Sequence, residues 1–159
     1  MRVLQPELLR RLLIGRRMLS SFGPSLTPQS NALAVAQAIL LSHDAAELVL
    51  SAIAESVSAT RKTDRMALMD YVNAISEKTG TAFAGRAFFE SLNRERVSFK
   101  HYGIPPNREA FHRVVTRTYE HLDQACVDYL QITLNEVDES GLLENKSARN
   151  MSYSQKSRA

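Results

Sequence analysis

One segment constrains the fold of this 159-residue chain more than any other. From Leu33 to Leu41, and again from Ala45 to Ala54, the residues are apolar nearly all round a helix. A helix of that kind has no solvated side and must be enclosed by others, so the segment is expected at the centre of a bundle. One narrow polar line interrupts it. Gln37, Asp44 and Ser51 fall seven residues apart, with Glu47 and Glu55 alongside. Seven residues are almost two turns, so these side chains stack along one face. That face either meets water or lines a polar groove.

The remaining punctuation predicts four more helices. Pro6-Glu7 opens the first, with Leu8, Leu9, Leu12 and Leu19 as its apolar side and Arg10, Arg11, Arg16 and Arg17 as a basic, solvated side. Gly23, Pro24 and Pro28 break the chain, and Ser30 is placed to cap the central helix. Thr63 or Asp64 starts a third helix that packs through Met66, Met69, Val72 and Ile75 and stops before Gly80. A fourth ends at Tyr102, because Gly103 suits a left-handed cap and Pro105-Pro106 forbid continuation. Asn107 caps a fifth, whose seam runs Phe111, Val115, Thr118, Leu122, Ala125, Tyr129 and Ile132. The expected helices cover 6–20, 30–59, 64–79, 84–102 and 107–136. The predicted fold is all-α: an up-and-down bundle of four to five helices over residues 1–137, the first helix packing on the rest. A disordered C-terminal tail is expected over 138–159, where the apolar period is lost.

Composition removes several function classes. The lone cysteine, Cys126, excludes an internal disulfide and a cysteine-based zinc site, and points to a reducing, cytoplasmic setting. It reads as a small interior residue rather than a nucleophile. No stretch is expected to be long and apolar enough to span a bilayer, so no membrane association is predicted. Glycine-rich phosphate loops, dinucleotide fingerprints and serine elbows are absent. Of the four histidines, no two share a helix three or four residues apart, so neither a metal nor any other cofactor is expected. His112 and His121 read as surface or seam-edge positions, whereas His43 beside Asp44 places charge in an otherwise apolar helix. The net charge of +3 is compatible with nucleic acid.

The most informative segment is Leu92-Asn93-Arg94-Glu95-Arg96-Val97-Ser98-Phe99-Lys100-His101-Tyr102-Gly103. On a helical wheel Phe88, Leu92 and Phe99 form a stripe, and Arg96 lies just beyond its edge with Phe89 on the other side. A guanidinium there needs an acceptor, and Asp44 or Glu47 of the central helix is the expected partner. Arg94 shares the side of His101 two turns earlier. This segment resembles the signature of the HEPN superfamily, the higher-eukaryote and prokaryote nucleotide-binding helical domains: an arginine followed, after four to six residues, by histidine. Arg96 to His101 gives the four-residue spacing and Arg94 to His101 the six-residue one. The order of helices over residues 30–135 agrees with that layout.

The resemblance implies a homodimer that joins two such segments across a cleft, an association with RNA or nucleotides, and a cognate antitoxin protein in a toxin or defence setting. For catalytic members it implies metal-independent RNA cleavage. Arg94, Arg96 and His101 are then the catalytic candidates, and Lys100, Tyr102, Asp44 and Glu47 the supporting ones. Members that cleave RNA often carry Asn, Asp or His after the arginine, whereas Arg96 precedes Val97 and Arg94 precedes Glu95. A catalytic and a non-catalytic form therefore both stay open. The rival class is a structural module that binds another protein through the fifth-helix seam.

Overall fold

The long apolar segment folds as α2 (Ala32–Ser56) in the computed structural model, with four other helices against it. These are α1 (Pro6–Phe22), α3 (Leu68–Thr79), α4 (Arg86–Tyr102) and α5 (Arg108–Leu130), and a 3-10 turn at Leu134–Glu136 follows. The structure describes residues 4–22, 31–60, 66–106 and 108–138. Among them there is no strand, and the all-α bundle is as the sequence predicts. Val35, Ile39, Val49, Leu50 and Ile53 of α2 are buried, together with Leu12 of α1, Val72 and Ile75 of α3, Phe89 and Leu92 of α4 and Leu122 of α5. Each large apolar side chain enclosed in this way contributes about 1.5–3 kcal/mol by leaving water.

One expectation about α2 needs correction. At 25 residues, with a mean hydropathy of 1.5 over its most apolar stretch, it is long and apolar enough to cross a membrane. The sequence reading missed this because it took the polar line as an interruption. Ser42, His43 and Ser51 are uncharged and Asp44, Glu47 and Glu55 are few, so the average hydropathy stays high. In the bundle, more than half of that stretch is covered by the other helices.

Local signals set the boundaries. Asn31 caps α2: its side chain accepts the Ala34 N–H at 2.9 Å. Ser30 and the Gly23–Pro28 break lie outside the described residues, as do Thr63, Asp64, Asn107 and residues 139–159. α3 begins at Leu68, later than predicted, and Asp70 accepts the Ala67 N–H there at 2.9 Å. Gly80 and Gly103 both take the left-handed conformation (φ 68° and 65°) that ends their helices. α5 stops at Leu130 rather than 136, with Gln131 at φ 61°. Asp123 then accepts the Leu134 N–H at 2.7 Å, which turns Leu134 and Val137 back into the core.

α1 is held more firmly than a solvated basic face implies. Arg11 donates to Ser51 Oγ at 3.2 Å and pairs with Glu55 of α2. Arg16 donates to the Val137 carbonyl at 2.6 Å. Arg10 is exposed, as predicted, beside Glu7. Gly15 faces α2, and a β-carbon there would lie 2.7 Å from Val49 Cγ2 and 3.2 Å from the Ala45 carbonyl oxygen. The two helices thus approach closely along their middle turns, running in opposite senses.

The seam of α5 faces inward. Thr118, Leu122 and Ala125 are buried and Tyr129 stacks on Phe83, with ring centroids 5.7 Å apart. Cys126 is fully buried and its thiol is pushed up to about 12, mainly by desolvation, so it is an interior residue and no nucleophile. His121 is not a plain surface position. It packs 4.4 Å from the Phe88 ring and directly over Gly85. Burial lowers its pKa, Arg117 adds to the effect and Glu120 opposes it. The unfolded chain therefore binds a proton near pH 6.5 that the folded chain resists, and stability is lost as pH falls through that value. Replacing His121 with Phe is expected to flatten the fall in melting temperature between about pH 7 and 5.5. An equally steep fall in the variant would show that His121 does not contribute.

Candidate functional site

α3 ends beside the end of α2, where Ala74, Glu77 and Lys78 line one hollow with Ser58 and Thr60. Phe83 N–H donates to Ser76 Oγ, so α4 starts at that same end. It then reaches the middle of α2 at Asn93, whose Oδ1 lies 3.2 Å from His43 Nε2. α4 therefore runs back toward the start of α2, and its last turn is presented at that end of the bundle. The turn is closed by the Gly103 N–H donating to the Phe99 carbonyl and the Ile104 N–H donating to the Ser98 carbonyl. Lys100 and His101 stand at the negative end of the helix dipole, where a positive charge is favoured.

The signature residues divide between two faces. Arg94, Lys100, His101 and Tyr102 are exposed, whereas Arg96 is half-buried. At about 100° per residue, Arg94 and His101 lie within about 20° of each other and about 10 Å apart along the axis. Arg96 lies about 140° from His101 and turns toward α2 instead. Its positive charge is felt by His43, whose pKa is lowered first by burial and further by Arg96, while Glu47, Asn93 and Asp44 act in the opposite direction.

The predicted pairing of Arg96 with Asp44 or Glu47 does not form. The described residues include no ion pair between them, and the physical reason lies in what the acids meet instead. Glu47 accepts the Leu68 N–H at 3.1 Å, capping the start of α3. Asp44 is exposed and stands 3.7 Å from His43 Nδ1. Both acids line a groove of about 450 Å³ with Met18, Leu48, Ser51, Met66 and Tyr71. Of the two alternatives for the polar line of α2, the groove takes Asp44, Glu47 and Ser51, whereas Gln37, nearer its start, is exposed and Glu55 pairs with Arg11. Asp44 and Glu47 therefore belong to the α1–α2–α3 groove, and Arg94, Lys100, His101 and Tyr102 to the end of α4.

Sequence reasoning overlooked one cluster. His43, Asp44 and Glu47 each offer a ligand atom within 4.8 Å of the other two. Histidine pairs at helical spacing do not reveal it, because the second member of the four-residue spacing, Glu47, is a carboxylate. Asn93 was likewise passed over, although it follows Leu92 within the segment singled out.

Comparison with protein-family models, with curated proteins and with solved structures finds no match to this chain. The class defined by fold and site is thus a five-helix bundle with a basic helix end. Anything more particular rests on the residues themselves.

Proposed function

We propose that this chain is a HEPN-like helical domain that binds RNA or nucleotides through the end of α4, with metal-independent RNA cleavage as the reaction its residues can support. One observation carries the reading. Arg94, Lys100 and His101 stand exposed on the last turns of α4, and none of them has an acidic partner among the described residues. The two cations among them, Arg94 and Lys100, are held by the fold yet free of carboxylates, which suits a phosphate backbone. On this reading His101 takes the proton of a ribose 2′-hydroxyl as that oxygen attacks phosphorus. The bond to the 5′-oxygen breaks, and that oxygen takes a proton from water. Arg94 neutralises charge on the phosphate as it forms. Because Arg96 and His101 point apart within one chain, a second copy is the expected source of further cationic groups, and a homodimer follows from this reading. A cognate antitoxin protein is the partner it implies, in the cytoplasm.

The test is RNA cleavage and binding by the full chain in the presence of a chelator. His101→Ala is expected to lower cleavage at least about 100-fold, the usual contribution of a general base. Its melting temperature should hardly change, since the exposed ring leaves no cavity. Cleavage that survives this substitution, or that stops on adding chelator, would overturn the catalytic form. Absence of RNA binding by the unaltered chain at low salt would overturn the reading as a whole.

A second reading, a protein-interaction module, is favoured by one feature. Leu33, Tyr102 and Ile104 are 60%, 73% and 56% exposed, at the start of α2 and the end of α4. The α5 seam is no longer a candidate surface from Thr118 to Ala125, being buried. The side chains of Phe111 and Val115 lie outside the described residues.

A further inference from the structure

His43 is 1% exposed, and its two ring nitrogens have opposite surroundings. Nε2 faces Asn93 Oδ1, an oxygen that can only accept, so the ring proton belongs on Nε2. Nδ1 then carries a lone pair. It is buried without a hydrogen-bond partner among the described residues, and it stands 3.7 Å from Asp44 Oδ1. A nitrogen lone pair and carboxylate oxygens thus converge with no proton between them. That arrangement is unfavourable when empty and becomes favourable around a cation.

We propose that His43 Nδ1, the Asp44 carboxylate and Glu47 Oε2 form a binding site for one divalent first-row transition-metal ion at the side of the groove. The spacing supports it: His43 and Glu47 are one helical turn apart on one face, and Asp44 flanks both. Metal–ligand bonds of about 2.0–2.2 Å require the three atoms to draw together by roughly 1 Å, which the Asp44 and Glu47 side chains can supply by rotation. Asn93 acts as the outer partner that fixes the tautomer and ring orientation, as hydrogen-bond acceptors do for metal-bound histidines. Glu47 Oε1 is held by the Leu68 N–H, which leaves Oε2 free. Entry is through the groove, which Asp44 and Glu47 both line.

The imidazole decides the class of ion. Magnesium and calcium prefer all-oxygen sets, whereas one nitrogen with two carboxylates suits zinc, manganese or cobalt. Three protein ligands leave at least one position for water. Arg96 opposes the ion with one positive charge near His43, but two carboxylates outnumber it. The proposal is independent of the RNA reading, since it concerns another face of the bundle and is read by binding alone.

The experiment titrates Co²⁺ into the full chain after dialysis against chelator, followed by calorimetry and visible absorption. One equivalent is expected to bind, with a rise in melting temperature that Mg²⁺ at the same concentration does not produce. Asp44→Asn and Glu47→Gln should each weaken binding at least about tenfold while leaving the metal-free melting temperature close to that of the unaltered chain. Asn93→Leu should weaken it by a similar factor through the tautomer, and Arg96→Gln should strengthen it. His43→Ala opens a cavity in the core and can fail to fold, so the two acid variants carry the test. Absence of Co²⁺ binding at about 100 μM, or binding that neither acid variant weakens, would overturn the proposal.

Discussion

Gly15→Leu is expected to destabilise the protein by about 3 kcal/mol or more, the upper range for overpacking a close helix contact. A β-carbon at this position already lies 2.7 Å from Val49 Cγ2, and the Ala45 carbonyl oxygen at 3.2 Å is backbone that cannot rotate away. Three further carbons must force α1 off α2 or push Val49 and Leu48 out of place. Glycine is a poor helix former, so an uncrowded replacement would gain about 1 kcal/mol in propensity. Gly15→Ala therefore sets gain against crowding and should still lose about 1 kcal/mol. Urea denaturation of the three proteins decides it. Equal or greater stability in both variants would show that α1 and α2 do not touch at Gly15. Against total stabilities of about 5–15 kcal/mol, a loss of that size is a large fraction of what holds the bundle together.

The second large effect is expected at Gly85. Its φ of 81° costs an L-residue roughly 1–2 kcal/mol, and a β-carbon would lie 2.7 Å from His121 Nδ1. The imidazole cannot move aside freely because Phe88 packs against its ring. Strain and overpacking together predict a loss of about 2–4 kcal/mol for Gly85→Ala. Gly80 provides the control, with φ 68° and nothing within 4 Å of its β-carbon position. Gly80→Ala should show the backbone cost alone. In a double-mutant cycle, His121→Ala should recover the crowding part of the Gly85→Ala loss. Simple additivity of the two substitutions would rule out the contact.

Helix identity was legible because its signals are local. Gly80, Gly103 and the prolines after it act within a turn of themselves, and the apolar circumference of α2 requires enclosure whatever encloses it. The start of α3 was less so: the helix begins at Leu68, where Glu47 of another helix receives its N–H. The end of α5 depends likewise on Asp123 reaching Leu134 across a bend. Both are contacts between a side chain and a distant backbone group, which residue periodicity does not encode.

The candidate site divides in the same way. That Arg94 and His101 share one side of α4 follows from spacing, and both are exposed. The partner of Arg96 was inferred from charge complementarity alone. Glu47 instead meets the Leu68 N–H, and Arg11 meets Glu55. The paired role of His43 depends on Asn93, fifty residues away, so no inspection of α2 alone could reveal it.

The bond from Arg16 to the Val137 carbonyl also sets an order of events. Its partners are 121 residues apart, so the clasp cannot form while a ribosome is still making the second half of the domain. α1 and α2 are close in sequence and can pair early, but the fastening of Arg16 waits for Val137 to emerge. A chain stopped before Val137 would present Arg16 and the apolar side of α1 in a partly secured state, open to chaperones and proteases. Full fastening of α1 thus comes only after Val137 has been made and can meet Arg16.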